Sequence, residues 1–113
     1  MAAADYDIII EQGSDFFLGL LLKDAKGIPF DLTGVIGAGQ VRQDMTDKTA
    51  VADFVVTFSS NRSEGKATIS IPSNITSQFS FVTGVYDLEF TYPSGIVKRI
   101  MQGNVTLSRA VTQ

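Results

Sequence analysis

The chain has no cysteine, no histidine and no tryptophan among its 113 residues. Without cysteine, neither a disulfide framework nor a thiolate metal site can form. Without histidine, the commonest zinc, copper and iron sites are excluded, and a serine nucleophile lacks its usual base. We therefore expect no cofactor and no enzymatic activity.

Basic residues and long apolar runs are also scarce. The net charge of −3 argues against a nucleic-acid partner, which requires a basic face. The longest apolar run, FFLGLLL at Phe16–Leu22, has seven residues, whereas a helix needs roughly 20 to span a bilayer. The opening MAAADYDIII lacks the pattern of a signal peptide. These features predict no membrane partner and synthesis in the cytoplasm.

Length and composition fit one globular domain over 1–113. Apolar residues make up 44% of the chain, enough for a core. Residues 1–7 are interpreted as a flexible N-terminal arm that reaches a neighbouring subunit.

A period of two dominates the apolar pattern, as in half-buried strands. In Tyr86–Tyr92 the aromatic and aliphatic residues alternate with Asp87, Glu89 and Thr91, and similar alternation occurs in Phe16–Lys23. Turn signals separate such runs at intervals of about ten to fifteen residues. The pattern predicts an antiparallel, immunoglobulin-like β-sandwich of seven to eight strands, and a small barrel of the same strands is the alternative.

One polar stretch, PSNITSQF at 72–79, interrupts the strands. It predicts at most one short helical turn, with Ser73 as its N-cap. Nearby, Phe79 and Phe81 flank polar residues, so they are the candidate exposed contacts for a partner.

Two further stretches resemble sites. GVIGAGQVR carries the first two glycines of a dinucleotide-binding fingerprint, but Arg42 occupies the third position and no helix follows, so a glycine-bent strand is the better interpretation. Asp87 and Glu89 lie two apart, a spacing that an acid–base pair can use. The amphipathic strand around them favours a solvated face, and a small hydrolase is a minor hypothesis.

Several phrases occur in a characteristic order: EQGSDFFLGLLLKDAKGIPFDLTG, AGQVRQ, TISIP and GVYDLEFTYPSGIVKRIMQGNVTLSRAVT. This set resembles small β-sandwich virion proteins of tailed bacteriophages, including the N-terminal domain of upper baseplate proteins and the attachment domains of tail fibres. The positions that define the shared motif are Gly27, Pro29, Asp31, Leu32, Thr33, Gly34, Arg42, Tyr86, Asp87, Gly95 and Arg99.

The resemblance implies a structural role for these positions and no catalytic residue. It implies a non-enzymatic structural or adaptor component of a virion tail, baseplate or capsid, which contacts other virion proteins and forms a homo-oligomer in the particle. The alternative function is a carbohydrate-binding β-sandwich that recognises a host surface glycan.

Overall fold

The computed structural model describes residues 3–46 and 49–110. In these ranges the strands are β1 (Ala4–Asp5), β2 (Ile8–Glu11), β3 (Phe16–Leu21), β4 (Ile36–Arg42), β5 (Ala52–Asp53), β6 (Val55–Phe58), β7 (Lys66–Ile71), β8 (Thr83–Thr91) and β9 (Val97–Ser108). A 3-10 turn spans Arg62–Glu64, and one short helix, α1, spans Ser73–Thr76. No helix of the described ranges is long and apolar enough to cross a bilayer.

The strands form two sheets, so the chain is a β-sandwich and not a barrel. The larger sheet has the order β1-β9-β8-β4-β5, and β2 also pairs with β9. The smaller sheet has the order β3-β7-β6. The chain passes between the sheets at Phe54, where β5 of the larger sheet leads directly into β6 of the smaller one.

The period-two pattern explains how the sheets close around one core. In β8, Tyr86, Leu88 and Phe90 point inward, and in β7 Ala67, Ile69 and Ile71 face them, all at most 4% exposed. Alternate positions of both strands face solvent, as expected for half-buried strands. The predicted all-β sandwich is therefore confirmed.

Of the predicted arm 1–7, residues 1–2 lie outside the described residues, and residues 4–6 bond to β9. Ala4–Asp5 pairs in parallel with Met101 and Gln102 of β9, and β2 continues this pairing further along β9. Ile8 and Ile10 of β2 face the core at 4% and 0% exposure, whereas Ile9 between them is exposed. The larger sheet is thus mixed at this edge and antiparallel elsewhere.

The short helix lies inside the predicted window, but its cap is different. Ser73 is already in the helix, and its amide donates to the Asp15 carboxylate at 2.6 Å. The Thr76 hydroxyl donates to the Ser14 carbonyl at 2.7 Å and accepts from the Gly13 amide at 3.2 Å. The helix is therefore held by the loop that precedes β3.

Candidate functional site

The predicted contact residues Phe79 and Phe81 are not on the surface. Their side chains are 3% and 4% exposed, and their ring centroids lie 5.1 Å apart inside the core. The same period of two that governs the strands continues through this loop, so only the intervening Ser80 faces solvent. The prediction of an exposed Phe79–Phe81 patch is wrong.

The motif stretch from Lys23 to Gly34 has a structural explanation at each position. Gly27 has a φ of 84° and closes the turn with its amide on the Asp24 carbonyl at 3.0 Å. Pro29 forms a bridge with Lys23, and Leu32 is completely buried.

The end of this stretch carries a local hydrogen-bonded turn. The Asp31 carboxylate accepts from the Thr33 amide at 3.0 Å and from the Thr33 hydroxyl at 2.6 Å. Both bonds lower the pKa of Asp31, and the bond from the hydroxyl has the larger effect. Gly34 follows with a φ of 76°, and a Cβ there would lie 2.8 Å from Pro93 Cγ. The polar groups of Asp31 and Thr33 bond to each other, so this part of the motif shapes a loop.

Arg62 anchors the loop and was not singled out by the sequence. Its guanidinium donates to the carbonyls of Leu32 and Val35 at 3.1 and 2.9 Å, and it lies 4.1 Å above the Phe58 ring. The only sequence signal is an arginine inside a polar turn, SSNRSEG, which is a common surface pattern.

One outward-facing row crosses the whole larger sheet, and we name it the polar row. Register places one residue from each of five strands side by side in it. Its members, from β1 to β5, are Asp5, Gln102, Asp87, Gln40 and Asp53. It forms the floor of an open depression of about 860 Å³.

The first half of the polar row is internally paired. Gln102 donates through Nε2 to Asp5 at 3.1 Å and accepts from Arg99 at 3.2 Å. Arg99 Nε also lies 3.7 Å from Asp87 Oδ2, in an exposed ion pair. The carboxylate that sequence analysis considered for catalysis is thus the partner of an arginine.

The second half repeats the arrangement. Gln40 donates through Nε2 to Asp53 at 3.1 Å and accepts from Arg42 at 2.8 Å. Among the described residues no buried side-chain polar atom lacks a partner, and no three His, Cys, Asp or Glu side chains are grouped to hold a metal ion. Both glutamine side chains of the polar row thus donate to a carboxylate of the row and accept from an arginine.

The stretch that partly resembles a dinucleotide-binding fingerprint, GVIGAGQVR, is strand β4 with the two residues before it. A Cβ at Gly37 would lie 2.5 Å from Val56 Cγ1, and one at Gly39 would lie 2.6 Å from the Asp87 carbonyl oxygen. Both glycines therefore permit close packing, which agrees with the glycine-bent strand interpretation.

A second surface feature is the free edge of β3. The ladder with β7 continues to Leu22, whose amide donates to the Gly65 carbonyl at 2.8 Å. Backbone groups alternate sides along a strand, so those of Phe17, Gly19 and Leu21 point away from β7. No strand of the described chain pairs with this side.

The side chains along this edge are also uncovered. Phe17 is 69% and Leu21 52% exposed on the outer face. On the inner face Phe16, Leu18 and Leu20 are only partly buried, whereas their partners on β7 are almost completely buried. We name Phe16–Leu22 the open edge.

No protein-family model and no curated protein matches the chain. Among solved structures the chain is similar to CopC from Methylosinus trichosporium OB3b, with a TM-score of 0.51 and 9% sequence identity. The match covers 100% of this chain and 90% of CopC. At this identity the similarity shows a shared β-sandwich fold.

This comparison overturns the function expected from the sequence. CopC, a solved structure that the chain resembles, is not a virion protein, and no family or curated match supplies a phage relative. The predicted structural or adaptor role in a tailed-phage virion is wrong. The same finding gives no support to the alternative, a host-glycan-binding sandwich. The motif resemblance and the expected location in a virion stay predictions.

Proposed function

We propose that this chain is a non-catalytic binding module whose open edge accepts an extended strand from another polypeptide. The observation that carries the proposal is the row of outward-pointing backbone groups at Phe17, Gly19 and Leu21. Unpaired amides and carbonyls at a sheet edge bind added strands through main-chain hydrogen bonds, and flanking side chains add apolar contact.

The other sheet edges carry features that discourage strand addition. β1 and β2 are interrupted at Tyr6–Asp7 and carry Asp5 and Glu11, and β5 has only two residues. β6 has four residues, and Val56 packs against β4 at Gly37. Short, bent or charged edges are the usual protections against pairing. The open edge has six strand residues and no charge, proline or bulge.

The contacts within the polar row support the non-catalytic part of the proposal. Asp87 forms an exposed ion pair with Arg99, which differs from the apolar slot that a catalytic general acid occupies. The glutamines bind the remaining carboxylates of the row.

Backbone amide exchange tests the proposal directly. The probe is a synthetic peptide of alternating valine and threonine with terminal lysines, added to dilute protein. We expect the amides of Phe17, Gly19 and Leu21 to become protected, because these point from the edge, while the already paired amides of Leu18 and Leu20 change little.

Two substitutions at Gly19 provide a matched pair. Gly19→Pro removes an amide that has no partner among the described residues and should abolish peptide protection. Gly19→Ala keeps the amide and adds a Cβ with nothing within 4 Å, so it should bind as the wild type does. Peptide binding without protection of the edge amides would overturn the proposal, and so would edge amides that stay unprotected both with the peptide and at high protein concentration.

A further inference from the structure

The residues flanking the open edge carry opposite charges at equal distances from its centre. Asp15 precedes Gly19 by four positions, and Lys23 follows it by four. Both are exposed, and both occupy odd-numbered positions, as Phe17 and Leu21 do. Continuing the alternation of β3 past its two ends assigns both side chains to the outer face of the edge.

This arrangement is self-complementary under a two-fold axis. When two copies of β3 pair antiparallel with Gly19 facing Gly19 of the second copy, Phe17 faces Leu21 of the second copy. Asp15 then faces Lys23 of the second copy, and the axis creates each pair twice. Opposite charges and apolar pairs directly across a ladder stabilise it, each by roughly 0.2–1 kcal/mol.

The free backbone groups can also form hydrogen bonds in this register. The amides and carbonyls of Phe17, Gly19 and Leu21 all point to the free side, so pairing odd positions with odd positions closes hydrogen-bonded rings. Shifting the register by two residues places Lys23 opposite Phe17 or Asp15 opposite Leu21. Only the register centred on Gly19 pairs both charges.

Pairing also buries apolar side chains on the inner face of the edge. In the same register Leu18 faces Leu20 of the second copy, and Phe16 faces Leu22 of the second copy. All four side chains are only partly buried in the single chain. Pairing covers their exposed flanks, and apolar burial contributes roughly 25 cal/mol per Å².

We infer that the partner of the open edge is a second copy of this chain, joined as a two-fold antiparallel β3–β3 dimer centred on Gly19. The two three-stranded sheets then form one continuous six-stranded sheet. The inference rests on the proposed function and names the partner of the same edge.

The first test is the mass in solution by light scattering and sedimentation. The wild type should have about twice the chain mass of 12.2 kDa. Gly19→Pro should be monomeric at concentrations where the wild type and Gly19→Ala are dimeric. A wild type that stays monomeric at all accessible concentrations overturns the inference, and so does a Gly19→Pro dimer.

A charge swap tests the register independently. Asp15→Lys places two lysines opposite each other in its own dimer, and Lys23→Asp places two aspartates opposite each other. Each variant alone should dimerise at least several-fold more weakly than the wild type. A mixture of the two should form heterodimers, because each lysine then faces an aspartate.

Controls separate these effects from folding. The Asp15 carboxylate also accepts from the Ser73 amide, so Asp15→Ala, which removes the acceptor, reports the loss of this helix contact without charge reversal. Lys26→Asp makes the same charge change as Lys23→Asp within the neighbouring turn and should leave dimerisation unchanged. Equal dimerisation of the mixed and separate variants in native mass spectrometry overturns the register.

The two proposals fail in different ways. If the chain remains monomeric but the valine–threonine peptide protects the edge amides, the edge binds strands and only the self-pairing is wrong. If neither a second copy of the chain nor the peptide protects these amides, the proposed function and the self-pairing are both wrong.

Discussion

The hydroxyl of Tyr86 donates a hydrogen bond to the backbone carbonyl of Tyr6, 80 residues earlier in the chain. Tyr86 lies in the central strand β8 and is 4% exposed, whereas Tyr6 lies in the break between β1 and β2. The bond therefore joins the N-terminal edge to the middle of the larger sheet across β9.

Replacing Tyr86 by phenylalanine should lower the free energy of unfolding at neutral pH by about 1 kcal/mol, the usual net value of one buried hydrogen bond. Burial, with smaller contributions from nearby Asp7, Tyr6 and Asp5, raises the pKa of Tyr86 to about 12. A raised pKa gives stability that is complete below the unfolded value near 10 and is lost as the pH rises toward 12.

Urea unfolding as a function of pH checks both expectations. The alkaline loss of stability between about pH 10 and 12 should be shallower in Tyr86→Phe than in the wild type. Tyr92→Phe, which directly follows β8 and lacks this bond, is the matched control. An unchanged slope in Tyr86→Phe would contradict the assignment.

Gly103 makes the Tyr6–Tyr86 contact feasible. It lies opposite Tyr86 in the ladder, and a Cβ there would lie 2.7 Å from the Tyr6 carbonyl carbon and 3.1 Å from the Asp7 carboxylate. We expect Gly103→Ala to cost about 1–3 kcal/mol, since a backbone segment must move to admit the methyl group.

Gly19→Ala is the matched control for this substitution. Gly19 is also a strand glycine without a positive φ, but a Cβ there meets no atom within 4 Å. Its effect on the unfolding free energy should stay within about 0.5 kcal/mol. Equal urea midpoints for Gly103→Ala and the wild type would show that the N-terminal strand is not held as described.

Much of the fold follows from local patterns, because a strand records its buried face in its own residues. The alternation around Tyr86 and the glycines at Gly27 and Gly95 correctly indicate a strand and two turns. Phe79 and Phe81 were misassigned because polar neighbours suggest exposure, whereas alternate positions of a loop can also face inward.

The surface features depend on which strands become neighbours, and no local pattern contains that information. The polar row joins Asp5 to Asp53 through three intervening strands, so it exists only after the register of each pair is fixed. The open edge is equally non-local. The alternation in FFLGLLL indicates a half-buried strand, and only the strand order shows that within the described residues β3 pairs with β7 alone.

Arg62 offers a test of how the loop between β3 and β4 is held. Its planar guanidinium binds two carbonyl groups while it lies on the Phe58 ring, an arrangement that lysine cannot reproduce. Arg62→Lys should lower the unfolding free energy by about 1–2 kcal/mol. Arg62→Met, which retains an apolar stem but no donor, should lower it further.

Urea unfolding ranks these variants, and amide exchange locates the change. The Leu32 amide, which donates to the Arg62 carbonyl, should exchange faster in both variants, and the paired amides of β8 should exchange last, as in the wild type. An Arg62→Lys protein as stable as the wild type would mean that the two carbonyl bonds contribute little.

The Asp31–Thr33 turn gives a prediction at acid pH. The Thr33 hydroxyl is the main reason for the lowered pKa of Asp31, so Thr33→Val should raise this pKa while leaving the amide bond in place. A lowered carboxyl pKa gives stability that is present above the unfolded value and is lost as the pH falls through the folded value. The acid loss of stability should therefore be slightly smaller in Thr33→Val.

Carbon-detected NMR of the side-chain carboxyl groups measures this shift at the residue itself. Thr46→Val is the matched control, because Thr46 donates to the Asp44 carboxylate with nearly the same geometry, at 2.8 Å from its amide and 2.6 Å from its hydroxyl. It should leave the titration of Asp31 unchanged. If Asp31 titrates alike in the wild type and in Thr33→Val, the hydroxyl is not the group that lowers its pKa.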